Sequence, residues 1–89
     1  MNNKNVTIYV SDGCNKCNDL LAQLDEWNVF YQIKNISKQR EHLYELQKLG
    51  IYGTPATFIE GEYRAILGFQ KNKIRQALSI KQSGFTIED

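Results

Sequence analysis

At 89 residues, 42% hydrophobic and 24% charged, the chain is long enough for one globular domain and too ordinary in composition for a disordered one. Eleven basic and ten acidic side chains leave a formal net charge of +1, which argues against nucleic-acid binding, where a basic stripe must displace counterions. No apolar run approaches the roughly 18 residues of a membrane span, and MNNKNVTIYV at the N-terminus carries too little apolar sequence for a secretory signal, so a cytoplasmic chain is expected.

Val6-Thr7-Ile8-Tyr9-Val10 alternates apolar and polar residues and is rich in β-branched side chains, which predicts a strand. Ser11-Asp12-Gly13 supplies turn and helix-cap chemistry. From Cys14 the period changes. Cys17, Leu20, Leu21, Leu24 and Trp27 share one face of a helix, and Asn28 is a plausible stop. Val29 to Ile36 predicts a second strand from its aromatic and β-branched content. Ser37 is a candidate N-cap for a second helix, with Leu43, Leu46 and Leu49 inward and Gly50 at the C′ position. After the Ile51–Thr54 loop and Pro55, Ala56 to Ile59 predicts a third strand, Glu60-Gly61 a tight turn, and Tyr63 to Leu67 a fourth. Beyond Gly68-Phe69, the positions Ile74, Ala77, Leu78 and Lys81 have helical spacing, and 82–89 reads as a loose tail.

The order is therefore β-α-β-α-β-β-α in a single domain spanning 1–89. Such an order predicts a four-stranded mixed sheet flanked by three helices: a right-handed parallel βαβ unit, then an antiparallel hairpin. This is the minimal thioredoxin-like arrangement. A domain of this size buries somewhat above 60% of its unfolded surface, enough to fold without a staple.

The chemistry lies in Cys14-Asn15-Lys16-Cys17, where a strand gives way to a helix. A Cys-x-x-Cys in that context reads as a redox pair. The helix N-terminus carries about half a positive charge and unsatisfied N–H groups, so Cys14 should ionise below the roughly 8.5 of a free thiol. Lys16 would push the same way and Asp12 would oppose it. Residues three apart on a helix have Cβ atoms about 5–6 Å apart, and a disulfide needs roughly 3.5–4.5 Å, a gap the first turn can close.

Other readings are weaker. A structural disulfide over so short a span constrains little of the unfolded chain. A structural zinc site needs four ligands, and one pair plus His42 on another helix falls short unless two chains share the metal. His42 reads as a solvated helix residue, Trp27 as core, and Lys38 to Glu41 as a wet helix face. Pro55 suits the first residue of a strand, and composition alone gives no reason to expect a cis bond.

Val6 to Ser11, the Cys14–Cys17 motif, Gly53-Thr54-Pro55 and Gly68-Phe69, in this order and spacing, resemble a glutaredoxin over roughly residues 5 to 80. The resemblance implies a thioredoxin-like fold with Cys14 as exposed nucleophile and Cys17 as buried resolving thiol. It also implies a cis Pro55 facing the pair and a Thr54 backbone free to meet an incoming substrate. Together with Lys16, Gly68 and Phe69, Thr54 and Pro55 form the expected substrate-binding set. Glutathione-using members have Cys-Pro-Tyr-Cys, a basic residue before it, Thr-Val-Pro and a Gly-Gly pair; here Asp12, Asn15-Lys16 and Gly68-Phe69-Gln70-Lys71 stand instead. Tyr31 to Ser37 and Gly68-Phe69 are more similar to NrdH-type redoxins, although Leu67 and Gln70 replace the serine and arginine of the Trp-Ser-Gly-Phe-Arg-type motif.

The cysteine motif and the glutaredoxin resemblance imply thiol-disulfide exchange, with a glutathione system as one donor; the NrdH-type resemblance implies thioredoxin reductase as donor and ribonucleotide reductase as acceptor. No bound cofactor or metal is expected; glutathione or another low-molecular-weight thiol would be a cosubstrate, and the protein would act as a monomer. The alternative is a metal or iron–sulfur cluster carrier built on the same cysteines.

Overall fold

The computed structural model describes residues 4–80, so Lys81 and the expected loose tail lie outside the described residues. Val6–Val10 forms β1, Asn15–Glu26 α1, Gln32–Asn35 β2, Arg40–Lys48 α2, Ala56–Ile59 β3, Ile66–Leu67 β4 and Lys71–Ala77 α3. The sheet order is β2-β1-β3-β4. Here β1 pairs parallel with β2, Ile8 opposite Ile33, and antiparallel with β3, Tyr9 opposite Ala56. The fourth strand pairs antiparallel with β3 through Ala56 and Thr57. The mixed four-stranded sheet and three helices match the expected thioredoxin-like arrangement.

Alternation along β1 splits the core. Val6, Ile8 and Val10 face the main cluster with Leu20 and Leu24 of α1, Ile74 of α3, and Ile66. Tyr9 points to the other side, where Leu46 of α2 and Ala56 complete a smaller cluster. Helices therefore cover both faces, and β1, central and buried on both, carries the chain straight into the cysteine motif.

All three helices stop in the same way. Asn28 (φ 59°), Gly50 (φ 78°) and Ser79 (φ 60°) take the left-handed conformation just past the C-cap. The following amides bond back five residues: Val29 to Leu24, Ile51 to Leu46, and Ile80 to Arg75, at 2.9–3.0 Å. This is the Schellman closure, in which the residue after the left-handed one packs back on the helix. It corrects the expected second strand. Val29 is consumed as the apolar clasp of α1, Phe30 is 89% exposed, and the Tyr31 hydroxyl donates to Asp25 at 2.8 Å, so β2 starts only at Gln32.

Other boundaries also move. Ser37 does not cap α2; its Oγ accepts the Asp12 amide at 3.0 Å, and Gln39 takes the N-cap position without a side-chain bond. Leu49, expected inward, is the C-cap and 59% exposed. The fourth strand shrinks from Tyr63–Leu67 to two residues because only Ile66 reaches the core, while Tyr63 is 96% exposed. Trp27 packs half-buried against the main cluster, and Lys38 to Glu41 are exposed as expected. Among the described residues no helix is long and apolar enough to cross a membrane.

His42 departs from its expected solvated setting. Its ring meets Tyr9 edge-on at 6.3 Å, and its buried Nδ1 lies 3.5 Å from Glu45 Oε1. The same oxygen accepts from the Tyr9 hydroxyl at 2.8 Å and from Lys34 Nζ at 3.3 Å. The Tyr9 hydrogen bond, with Lys34 and His42 nearby, holds the Glu45 carboxyl below its ordinary value. A depressed carboxylate stabilises the fold above its unfolded pKa, and that contribution disappears as pH falls through the folded value. The unfolding midpoint of the wild type should therefore fall more steeply on acidification below about pH 5 than that of Glu45→Gln. Parallel curves in a pH series of thermal melts would contradict this.

Candidate active site

The strand-to-helix junction places Cys14 as N-cap of α1, with φ −96° and ψ 105°. The Cys17 amide donates to Cys14 Sγ at 3.1 Å, so the sulfur takes the place usually held by a serine or aspartate oxygen. The first turn of α1 contains no acidic residue. Dipole and amide together favour a charged sulfur at this position. Cys14 and Cys17 are joined in a disulfide with Cα atoms 5.2 Å apart. Cys14 is half-buried, whereas Cys17 is 1% exposed and belongs to the main core. The two sulfurs are thus chemically unequal: one meets solvent, the other is reached only through it.

The loop before β3 comes to the same place. The Thr54–Pro55 peptide is cis. Thr54 Oγ1 lies 3.9 Å from Cys14 Sγ and 2.7 Å from Ser11 Oγ. Gly68, at φ 74°, donates its amide to the Pro55 carbonyl at 2.8 Å, which fastens the β4–α3 junction beside the proline. A side chain at Gly68 would be strained by that φ although nothing lies within 4 Å of it. Of the expected substrate-binding set, Thr54 meets Cys14, Pro55 follows it in the chain, and Gly68 is bonded to Pro55. Phe69 turns half-buried onto the main core, and Lys16 sits exposed on the first turn of α1.

Asp12, expected to oppose a thiolate, is engaged elsewhere. Its Oδ1 accepts from Asn35 Nδ2 at 3.1 Å and lies 3.7 Å from Lys38 Nζ. The Asn35 carbonyl oxygen of the side chain in turn accepts the amides of Ser37 and Lys38. This network ties the Ser11–Gly13 turn to the end of β2. In the sequence Ser11 and Ser37 carry only turn and cap signals, and no short-range pattern marks partners 43 and 25 positions away.

Among the described residues nothing near the pair completes a metal site. They include no group of three or more His, Cys, Asp or Glu side chains disposed to hold a metal, and His42, on α2, packs against Tyr9 on the other face of the sheet. A carrier built on these cysteines would have to draw its remaining ligands from elsewhere.

The family model for Glutaredoxin matches residues 6–64. Among curated proteins no sequence match is found. Several solved structures are similar to the chain. NrdH-redoxin from Escherichia coli, described as glutaredoxin-like with a thioredoxin-like activity profile, superimposes with TM-score 0.72 at 18% identity, over 81% of this chain and 92% of its own. The thioredoxin-like protein BC3987 gives 0.74 at 27% identity, over 82% and 99%. Glutaredoxin 1 from Francisella tularensis gives 0.63 at 26%, over 83% and 93%.

Proposed function

Because this chain belongs to the glutaredoxin family, we propose that it is a dithiol-disulfide oxidoreductase acting through Cys14 and Cys17. The observation that carries the reading is the pairing of a solvent-facing N-cap sulfur, bonded by the Cys17 amide, with a core-buried second sulfur. In the reduced protein the Cys14 thiolate attacks one sulfur of a substrate disulfide. The Cys14–substrate bond forms, the substrate S–S bond breaks, and its electron pair leaves on the departing sulfur, which takes a proton. Cys17, deprotonated, then attacks Cys14; the mixed disulfide breaks, the second substrate sulfur leaves as a thiol, and the Cys14–Cys17 bond returns. Two electrons have passed to the substrate. Thr54, Pro55 and Gly68 form the ledge beside Cys14 against which the substrate docks, and Lys16 lies at the edge of that approach.

No bound cofactor takes part. The electrons come from an external donor, and two classes differ in charge. Glutathione is an anionic tripeptide that its users hold with Cys-Pro-Tyr-Cys, a preceding basic residue, Thr-Val-Pro and a Gly-Gly pair, and this chain carries Asn15-Lys16, Asp12, Gly53-Thr54-Pro55 and Gly68-Phe69 in their places. That arrangement favours a protein donor of the thioredoxin reductase kind, in line with the NrdH-type resemblance, with ribonucleotide reductase as a candidate acceptor.

The test is NADPH consumption with a small disulfide substrate in two coupled systems. One contains thioredoxin reductase, the other glutathione with glutathione reductase. Turnover confined to the first is expected. Turnover confined to the second would make glutathione the donor despite Asp12, and inactivity in both would overturn the exchange reading for these donors.

A further inference from the structure

We propose that Ser11 is a positioning residue for the reactive sulfur, fixing the Thr54 hydroxyl proton on Cys14. The argument is a count of protons. Each hydroxyl has one to give. Thr54 Oγ1 donates to Cys14 Sγ across 3.9 Å. Its proton is then spent, so the 2.7 Å contact between Ser11 Oγ and Thr54 Oγ1, which either oxygen could donate in isolation, runs from Ser11 to Thr54. The result is a directed chain, Ser11 to Thr54 to Cys14, with every dipole pointing its positive end at the sulfur.

The chain gains strength when the disulfide is reduced. A neutral disulfide sulfur is a weak acceptor, whereas a thiolate is charged, and charge-assisted bonds are roughly twice as strong as neutral ones. Accepting a proton from Ser11 polarises Thr54 and makes it a better donor, the cooperative effect of hydrogen bonds in series. Without Ser11, the half-buried Thr54 hydroxyl is free to turn its proton away from the sulfur. Ser11 immediately follows β1 and Thr54 immediately precedes Pro55, so the contact also joins the two segments that frame Cys14. The inference rests on the exchange reading only in assigning the thiolate a use; the ionisation of Cys14 is measurable without any partner.

The experiment is the pH dependence of the rate at which iodoacetamide alkylates Cys14 in the fully reduced, full-length chain, with single adducts verified by mass spectrometry. Ser11→Ala should lower the Cys14 ionisation constant about threefold to tenfold, an upward move of about half to one pKa unit. Ser11→Thr, which keeps a hydroxyl, should restore the wild-type profile. In a Thr54→Val background, or Thr54→Ala if that variant does not fold, Ser11→Ala should add no further shift. An unchanged profile in Ser11→Ala would overturn the relay, as would an equal shift with and without the Thr54 hydroxyl, since Ser11 would then act through the turn alone. Thermal melts of each variant establish that the profiles come from folded protein. The exchange reading fails separately: a wild type with the expected alkylation behaviour but no disulfide turnover would remove the function and leave the relay standing.

Discussion

Cys17→Ser, reduced and mixed with a disulfide substrate, should accumulate as a covalent adduct through Cys14 and stop there. Cys14→Ser should form no adduct and fall to the uncatalysed background. The asymmetry follows from burial: Cys17, 1% exposed and packed among Leu20, Leu24 and Ile8, cannot reach an external disulfide, yet it is already within bonding distance of Cys14. Non-reducing electrophoresis and mass spectrometry would resolve the adduct. Persistence of wild-type protein-disulfide reduction in Cys17→Ser would remove its resolving role. An adduct formed by Cys14→Ser would reverse the assignment of the two sulfurs.

Leu20→Ala should be among the changes most costly to stability. Leu20 is fully buried on α1, one turn beyond Cys17, against β1. Truncating a buried leucine removes transfer free energy and leaves a cavity, together about 2–5 kcal/mol. Domains of this kind have only about 5–15 kcal/mol in total. A loss near the middle of the range, about 3 kcal/mol, lowers the melting temperature of a domain this small by roughly 12–24 °C. Asp19→Ala, on the exposed side of the same helix, should stay within about 0.5 kcal/mol. Similar melting temperatures for the two variants would mean that α1 is not held to the sheet by this face. Because Cys14 caps the same helix, Leu20→Ala should also weaken the amide contact to its sulfur.

The parts of this fold legible in sequence are those where local pattern and tertiary environment agree. Val6–Val10 and Ala56–Ile59 alternate or concentrate β-branched residues and occupy the middle of the sheet, so nothing overrides them. The helix after Cys14 carries an apolar face at helical spacing and ends at an asparagine suited to left-handed backbone. Where expectation failed, a residue had two possible uses and tertiary context chose the less local one. Val29 has strand propensity, but the Schellman closure of α1 takes it. Ser37 is a good cap by composition, yet its oxygen serves the Asp12 amide. The cysteine motif was readable because all its parts are contiguous. Pro55 and Gly68 entered the site by family resemblance, and Ser11 entered only as a turn residue, since its partner lies 43 residues away.

Strand order also zones the stability of the active site. The sulfur side hangs from β1, paired on both edges and buried on both faces, so its amides open only when most of the domain opens. Of the opposing rim, Thr54 and Pro55 lead into central β3, but the Gly68 end hangs from β4, a two-residue edge strand held by a single neighbour and one buried side chain. Edge segments with few buried contacts open at much lower free energy than the global value. Local breathing can therefore reshape the Gly68 end of the rim that meets a substrate while the sulfur and its donors stay in register. Breadth of substrate shape and constancy of thiol chemistry are thus assigned to different strands of one sheet.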